Sequence, residues 1–243
     1  MIPKKIHYCW FGNNPIPREL KKYIKSWKKY CPDYEIIKWD ESNFDINCHP
    51  FIKKAYDAKA WAFVSDLARL MIIYNEGGIY LDTDVELLKN TDFLLDNHFF
   101  IGIQQAGSGV NEYCTTGLGF GAEPHNIIVM EMIEQYKDLV YDENKKNDFI
   151  CPKLNSRVLE KRGYKPSKEI QYLEGATIYP SEYFDPFCIG DSDNLLSKNT
   201  VSIHHYSATW MSGLVRYKRS LINFIGLKTI ANIKSVLKRR KKQ

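Results

Sequence analysis

Asp82 and Asp84 stand one residue apart at the end of the run Gly77-Gly78-Ile79-Tyr80-Leu81-Asp82-Thr83-Asp84. In an extended chain, side chains two residues apart project to the same side, roughly 6–7 Å from each other. Two carboxylates held that close in a partly dry site repel, and one is pushed to protonate unless a cation lies between them. A divalent ion resolves the conflict, and it can also bridge diphosphate oxygens and mask the charge that grows on a departing nucleotide.

Two further groups of residues carry chemistry. Far downstream, in Val201-Ser202-Ile203-His204-His205-Tyr206, two histidines are adjacent. Strand alternation puts them on opposite faces, so only one of the two can join a given metal site. An imidazole added to carboxylates favours Mn2+, with Mg2+ as the alternative. Upstream, Ser65, Asp66 and Arg69 interrupt an otherwise apolar stretch. Asp66 and Arg69 are three residues apart and share a helix face. Placed in a binding site, they could hydrogen-bond sugar hydroxyls, while Ser65 could reach a phosphate or ribose oxygen.

These residues need a frame. The stretch 6–11 reads as a buried strand, and Pro17 opens an amphipathic lysine-rich helix that ends before Pro32. A second strand is expected at 34–39. A long apolar helix over 60–75 is stopped by Gly77-Gly78, and a third strand at 79–81 runs into Asp82. Further on, a strand at 99–103, a glycine-rich stretch at 107–121, a helix near 126–139 and a strand at 201–206 are expected. Strands alternating with helices in the first hundred residues predict an α/β fold with a mostly parallel sheet covered by helices. Strand ends in such sheets are where ligands bind.

Charge divides the 243 residues unequally. Residues 1–193 hold 23 basic and 29 acidic residues, a net of −6, whereas residues 194–243 hold 11 basic residues and no acid. A mildly acidic body with a basic end predicts a domain at 1–213 and a tail at 214–243, and argues against a nucleic-acid binder. The tail has apolar residues near helical spacing and closes on Lys238-Arg239-Arg240-Lys241-Lys242. It reads as an amphipathic helix suited to an anionic membrane surface. The six cysteines form no CxxC pair, so a thiolate zinc site is not expected. No run approaches 18 apolar residues, and the expected setting is cytoplasmic, at most peripheral on the membrane's cytoplasmic face.

The segment 60–84, AWAFVSDLARLMIIYNEGGIYLDTD, resembles the SDxxRxxxLxxxGGxYxDxD signature of family 32 glycosyltransferases. These are the Och1-like and capsular-polysaccharide transferases, which are similar in turn to the catalytic domains of clostridial glucosylating toxins. The pattern's leucine is Ile73 here. The opening IPKKIHYCWFG, the stretch 178–184 and the closing HHYSATW resemble other landmarks of the family, so the likeness spans roughly 2–210.

The resemblance implies a GT-A fold, Rossmann-like with helices on both faces of its sheet. It implies that Asp84 binds Mn2+, that Asp82 contacts ribose or donor sugar and helps hold the metal, and that Trp10 stacks on the nucleotide base. Ser65, Asp66, Arg69 and Tyr80 would line the donor subsite, with Asp66, Arg69, Asp82 and Asp84 as the catalytic set. Taking register from Trp210, His205 is the expected third ligand and His204 the alternative. The implied activity is retaining transfer from a nucleotide-diphosphate sugar, UDP-linked before GDP-linked, to a glycan acceptor. That acceptor would be lipid-linked, in capsular or cell-surface polysaccharide synthesis. The competing readings are a toxin-like protein glycosyltransferase, a non-catalytic carbohydrate-binding protein and a metal-dependent phosphohydrolase.

Overall fold

The computed structural model describes residues 1–105, 112–187 and 194–207. The expected domain boundary at 213, the tail at 214–243 and Trp210 lie outside these residues.

The chain opens with strand β1 (Lys5–Cys9), helix α1 (Arg18–Tyr30), strand β2 (Glu35–Trp39) and helices α2 (Pro50–Asp57) and α3 (Trp61–Glu76). Two short strands, β3 (Gly78–Tyr80) and β4 (Val85–Leu87), flank the aspartate pair. Strands β5 (Phe99–Ile103) and β6 (Cys114–Ala122) follow, then helices α4 (Ile127–Glu134) and α5 (Cys151–Glu160). Strands β7 (Gln171–Leu173) and β8 (Ala176–Tyr179), the single-turn helix α6 (Ser181–Phe184) and strand β9 (Ser202–His204) complete the order.

Seven strands form one sheet in the order β2-β1-β3-β6-β5-β8-β7, and β4 pairs with β9 in a separate ribbon. Strands β2, β1, β3, β5 and β8 run in one direction and β6 and β7 in the other. The sheet is therefore mixed but mostly parallel in direction, as the alternation of strands and helices predicts.

Its faces sort by sequence parity. From β1, Ile6 and Tyr8 enter a core closed by Trp27 of α1 and Phe184 of α6, with Phe100 of β5. Cys9, with Phe99 and Ile101 of β5, enters the opposite core under α2, α3, α4 and α5. Period-two alternation on a doubly covered sheet explains why these strands read as nearly continuous apolar runs.

Two features beyond the expected elements bear on the site. The glycine-rich stretch at 107–121 carries no element assignment from sequence; residues 107–111 lie outside the described residues, and Cys114–Ala122 forms the long central strand β6, whose glycines admit large neighbours such as Phe100 against Gly121. The aspartates were expected in an extended run, but Thr83 and Asp84 form a turn between β3 and β4, closed by Val85 N–H donating to the Asp82 carbonyl at 3.0 Å. The turn, not strand pleating, sets how the two carboxylates face one another.

Candidate active site

Helix α3 delivers Arg69. It has no capping side chain and ends at Gly77 (φ +64°) and Gly78 (φ +100°), a backbone pair that only glycine adopts without strain. That reversal feeds the chain directly into β3, so Ser65, Asp66 and Arg69 lie beside the strand that leads to Asp82. Arg69 is buried and fully engaged. Its Nε donates to the Ser65 carbonyl at 3.0 Å, Nη1 to Thr116 Oγ1 at 3.4 Å, and Nη2 lies 3.2 Å from both Asp66 Oδ1 and Asp82 Oδ1. The guanidinium carbon sits 4.9 Å from the centre of the Tyr80 ring, and the Tyr80 hydroxyl donates to Asp82 Oδ1 at 3.2 Å. One cation thus neutralises two carboxylates and is stacked on an aromatic face.

Gly117 of β6 makes room for this arrangement. A Cβ there would meet Asp82 Oδ2 at 2.3 Å. The Asp82 backbone is tied to the same residue, its N–H donating to the Gly117 carbonyl at 3.2 Å.

Asp84 is held from two sides. Buried Trp27 of α1 donates through Nε1 to the Val85 carbonyl at 2.8 Å, and Leu87 N–H donates to Ser26 Oγ at 2.9 Å, so α1 fixes β4 immediately after the turn. On the other side, β9 pairs antiparallel with β4 in the register Val85 to His204. His204 Nε2 lies 3.1 Å from Asp84 Oδ1, and the Ser207 N–H donates to Asp84 Oδ2 at 2.8 Å.

The histidine expectation is corrected by this register. His205, the expected third ligand, turns away: its Nε2 lies 2.8 Å from Glu86 Oε2, and its ring stacks on Tyr23 with centres 4.1 Å apart. His204, the alternative, faces the aspartates. The pairing of β9 with β4 decides the matter, because His204 lies opposite Val85 while His205 follows it onto the other face.

Asp82, Asp84 and His204 each place one ligand atom within 4.8 Å of the others. Two carboxylate oxygens and an imidazole nitrogen at that spacing suit a divalent cation such as Mn2+ or Mg2+, with small closure to ligand distances near 2.1 Å. The charges show what such an ion would replace. Burial pushes Asp82 up, and the pull of Arg69 does not fully offset it. Burial also works against ionised Asp84 and protonated His204, yet their mutual attraction prevails. Asp84 is held to about 2 and His204 is raised to about 9. The imidazolium occupies the role of a cation beside the aspartates.

The triad lines a cavity of about 480 Å³, whose walls also include Trp10, Trp61, Ser65, Arg69 and Thr83. Trp10 is half-buried there, its Nε1 donating to the Asn14 carbonyl at 2.6 Å. Asp66 and Tyr80, expected on the wall, sit behind it: they hold Arg69 and are not among the lining residues.

Sequence reasoning overlooked several residues here. Trp61 and Lys59 line the cavity, but a tryptophan in an apolar helix and a lone lysine before it give no distinguishing pattern. Asp185 is buried and accepts hydrogen bonds from Gln105 N–H and the Tyr206 hydroxyl; burial raises its carboxyl to about 6. Tyr206 packs edge-on against His204, with ring centres 4.1 Å apart. No local motif announces an acid brought in from 80 residues beyond Gln105.

Residues 17–101, about a third of the chain, match the family described as the glycosyltransferase sugar-binding region containing the DXD motif. The matched span contains α1, Ser65, Asp66, Arg69 and both aspartates, and it encloses the segment whose likeness to family 32 is read from sequence. Inositol phosphoceramide mannosyltransferase 3 of Schizosaccharomyces pombe is 39% identical over 98 residues, 39% of this chain and 27% of that protein. An uncharacterized glycosyltransferase of Acanthamoeba polyphaga mimivirus is 39% identical over 107 residues, 41% of this chain and 43% of that protein. The chain therefore matches less than half the length of either curated relative. Among solved structures, the PaToxG glycosyltransferase is 16% identical over 66% of this chain and 69% of its own, with a TM-score of 0.49.

Proposed function

We propose that this chain is a divalent-metal-dependent glycosyltransferase of the GT-A type. It moves a sugar, with retention of anomeric configuration, from a nucleotide-diphosphate donor to a glycan acceptor hydroxyl. The observation that carries the reading is the convergence of Asp82, Asp84 and His204 in the wall of a cavity also lined by Trp10, Ser65 and Arg69. A cation bound by the triad supplies electrostatic neutralisation of the leaving diphosphate.

The chain's own residues do the rest. Trp10 offers an aromatic face for the base, where stacking is worth roughly 1–3 kcal/mol. Arg69, fixed by four partners, orients Asp82 and presents a preorganised positive charge to the donor. Lys59, exposed at the cavity wall, is placed to meet phosphate oxygens. Arg69 and Asp66 need not move as charge develops, and such preorganisation is what makes electrostatic catalysis effective.

UDP-linked donors come first in this reading, as the sequence resemblance favours. The fission-yeast relative, named a mannosyltransferase, puts mannosyl donors beside them. A lipid-linked acceptor, a role in capsular or cell-surface polysaccharide synthesis, and a location at the cytoplasmic membrane face through residues 214–243 complete the proposal.

The test is thermal stabilisation of the full chain by UDP, GDP and their sugars, with and without Mn2+. Metal-dependent stabilisation by one nucleotide, followed by transfer from its sugar, is the expected result. Absence of any nucleotide effect would leave a carbohydrate-binding protein, and release of inorganic phosphate without transfer would indicate a hydrolase.

A further inference from the structure

We propose that the basic face of α1 is a docking surface for an anionic lipid bilayer. The helix carries Arg18, Lys21, Lys22, Lys25, Lys28 and Lys29, and all six are exposed. At 3.6 residues per turn they fall within an arc of roughly 120°, along a helix roughly 20 Å long. The opposite side holds buried Leu20 and Trp27. One flank is occupied too: Tyr23 stacks on His205, and Ser26 accepts from Leu87 N–H. The helix is thus fastened to the body with its cationic stripe turned outward.

The stripe is uncompensated. None of its six residues forms an ion pair among the described residues. Elsewhere, Lys4, Lys5, Lys38, Lys53, Lys137 and Lys146 are each matched to a carboxylate. Glu19, the helix's one acid, lies outside the arc and accepts from the Tyr23 hydroxyl instead. Six unneutralised charges on one rigid face sum as a field that reaches about a Debye length, ~8 Å, from the surface.

Geometry selects a planar partner. Residues 1–193 carry a net charge of −6, so a polyanion that wraps the body meets repulsion, whereas a plane touches the stripe alone. The arc offers no free aromatic ring on which bases would stack: Tyr23 and Tyr30 lie off it and are half-buried, Tyr23 is stacked on His205, and Lys29 Nζ sits 4.6 Å from the centre of the Tyr30 ring. Pro15 and Pro17, just ahead of the stripe, belong to the cavity wall. The docking face thus adjoins the cavity wall, which suits a membrane-borne acceptor; that consequence rests on the transferase reading, while the docking does not.

The experiment is co-sedimentation of the full chain with phosphatidylcholine vesicles, with and without about one third phosphatidylserine. Two variants lose equal charge: K21Q/K25Q/K28Q/K29Q on the stripe, and K153Q/K161Q/K165Q/K168Q on exposed positions of α5 and the loop after it. Both keep the basic tail, so its contribution is constant, and unchanged thermal midpoints verify folding. The expected result is binding that depends on phosphatidylserine and weakens at least about tenfold in the stripe variant, with about twofold or less in the control. Equal losses in the two variants, no loss in the stripe variant, or wild-type capture by nucleic acid with indifference to phosphatidylserine each overturns the proposal. Nucleotide binding is not read in this assay, so docking and sugar transfer stand or fall separately.

Discussion

His204 Nε2 lies 3.1 Å from Asp84 Oδ1, across the register that sets β9 beside β4. The contact makes the imidazole a charge partner of the aspartate and sets its Nε2 where, unprotonated, it would serve as the third ligand of the proposed cation. Neighbouring His205 has a different task, pairing with Glu86 and stacking on Tyr23.

The two histidines should therefore separate in one measurement. His204→Ala removes a donor atom and is expected to weaken Mn2+ binding by at least the roughly 10–100-fold that outer-shell partners of metal ligands are worth. His205→Ala should leave the metal affinity within a few-fold. Calorimetric titration of Mn2+ into each variant checks this, and the reverse ranking would restore His205 to the ligand role.

Gly117 offers a probe of geometry with little change in chemistry. Gly117→Ala puts a methyl 2.3 Å from Asp82 Oδ2 and 3.2 Å from Arg69 Nη1. The carboxylate must move by most of an ångström. A displacement of that size is expected to cost on the order of 100-fold in kcat, with far-UV dichroism unchanged. Turnover near that of the wild type would mean that Asp82 is not held where transfer needs it.

Part of this was visible in the residues themselves. The helix over 60–75 and the strand at 6–11 were legible because apolar runs there stop at glycine, and the strands at 34–39 and 99–103 because short runs rich in isoleucine and aromatic residues favour an extended chain. Asp82, Asp84, Ser65 and Arg69 were legible through one contiguous motif. Choosing between His204 and His205 was not, because it depends on a strand pairing across 120 residues that no local pattern encodes. For the same reason Asp185 passed unnoticed, and Gly117 and Gly121 concealed a strand: each looks like a loop former until Asp82 and Phe100 are seen filling the space they leave.

Arg69 is the electrostatic keystone, with 6% side-chain exposure and two acidic partners. Arg69→Ala would leave Asp66 and Asp82 facing each other in a buried site, and burial already raises Asp66 to about 6. Breaking such a pair by removing one partner costs roughly 3–5 kcal/mol. Urea unfolding should show that loss. Arg69→Lys, which keeps the charge but not the fork, should recover part of the stability and little of the activity.

His7 should govern part of the acid response. It is fully buried on β1 and accepts from Trp39 Nε1 through Nδ1 at 3.0 Å, and the nearby Gly77 backbone offsets only part of the cost of charging it. Burial lowers the imidazole to about 4, against about 6.5 in an unfolded chain. As pH falls through that window the unfolded state takes up the proton first. The stabilisation from neutral His7 is thus complete above about 6.5 and lost progressively towards 4, amounting to at most about 3 kcal/mol. Asp66 and Asp185, each raised to about 6 by burial, act oppositely, since their neutral forms are favoured in the folded state as pH falls. The wild-type curve alone therefore mixes signs. The comparison with His7→Gln isolates the histidine: between pH 6.5 and 4 the wild type should lose stability relative to the variant, measured as the difference in urea unfolding free energies. A difference that stays flat across this range would show that His7 carries its proton as easily inside the sheet as in the unfolded chain.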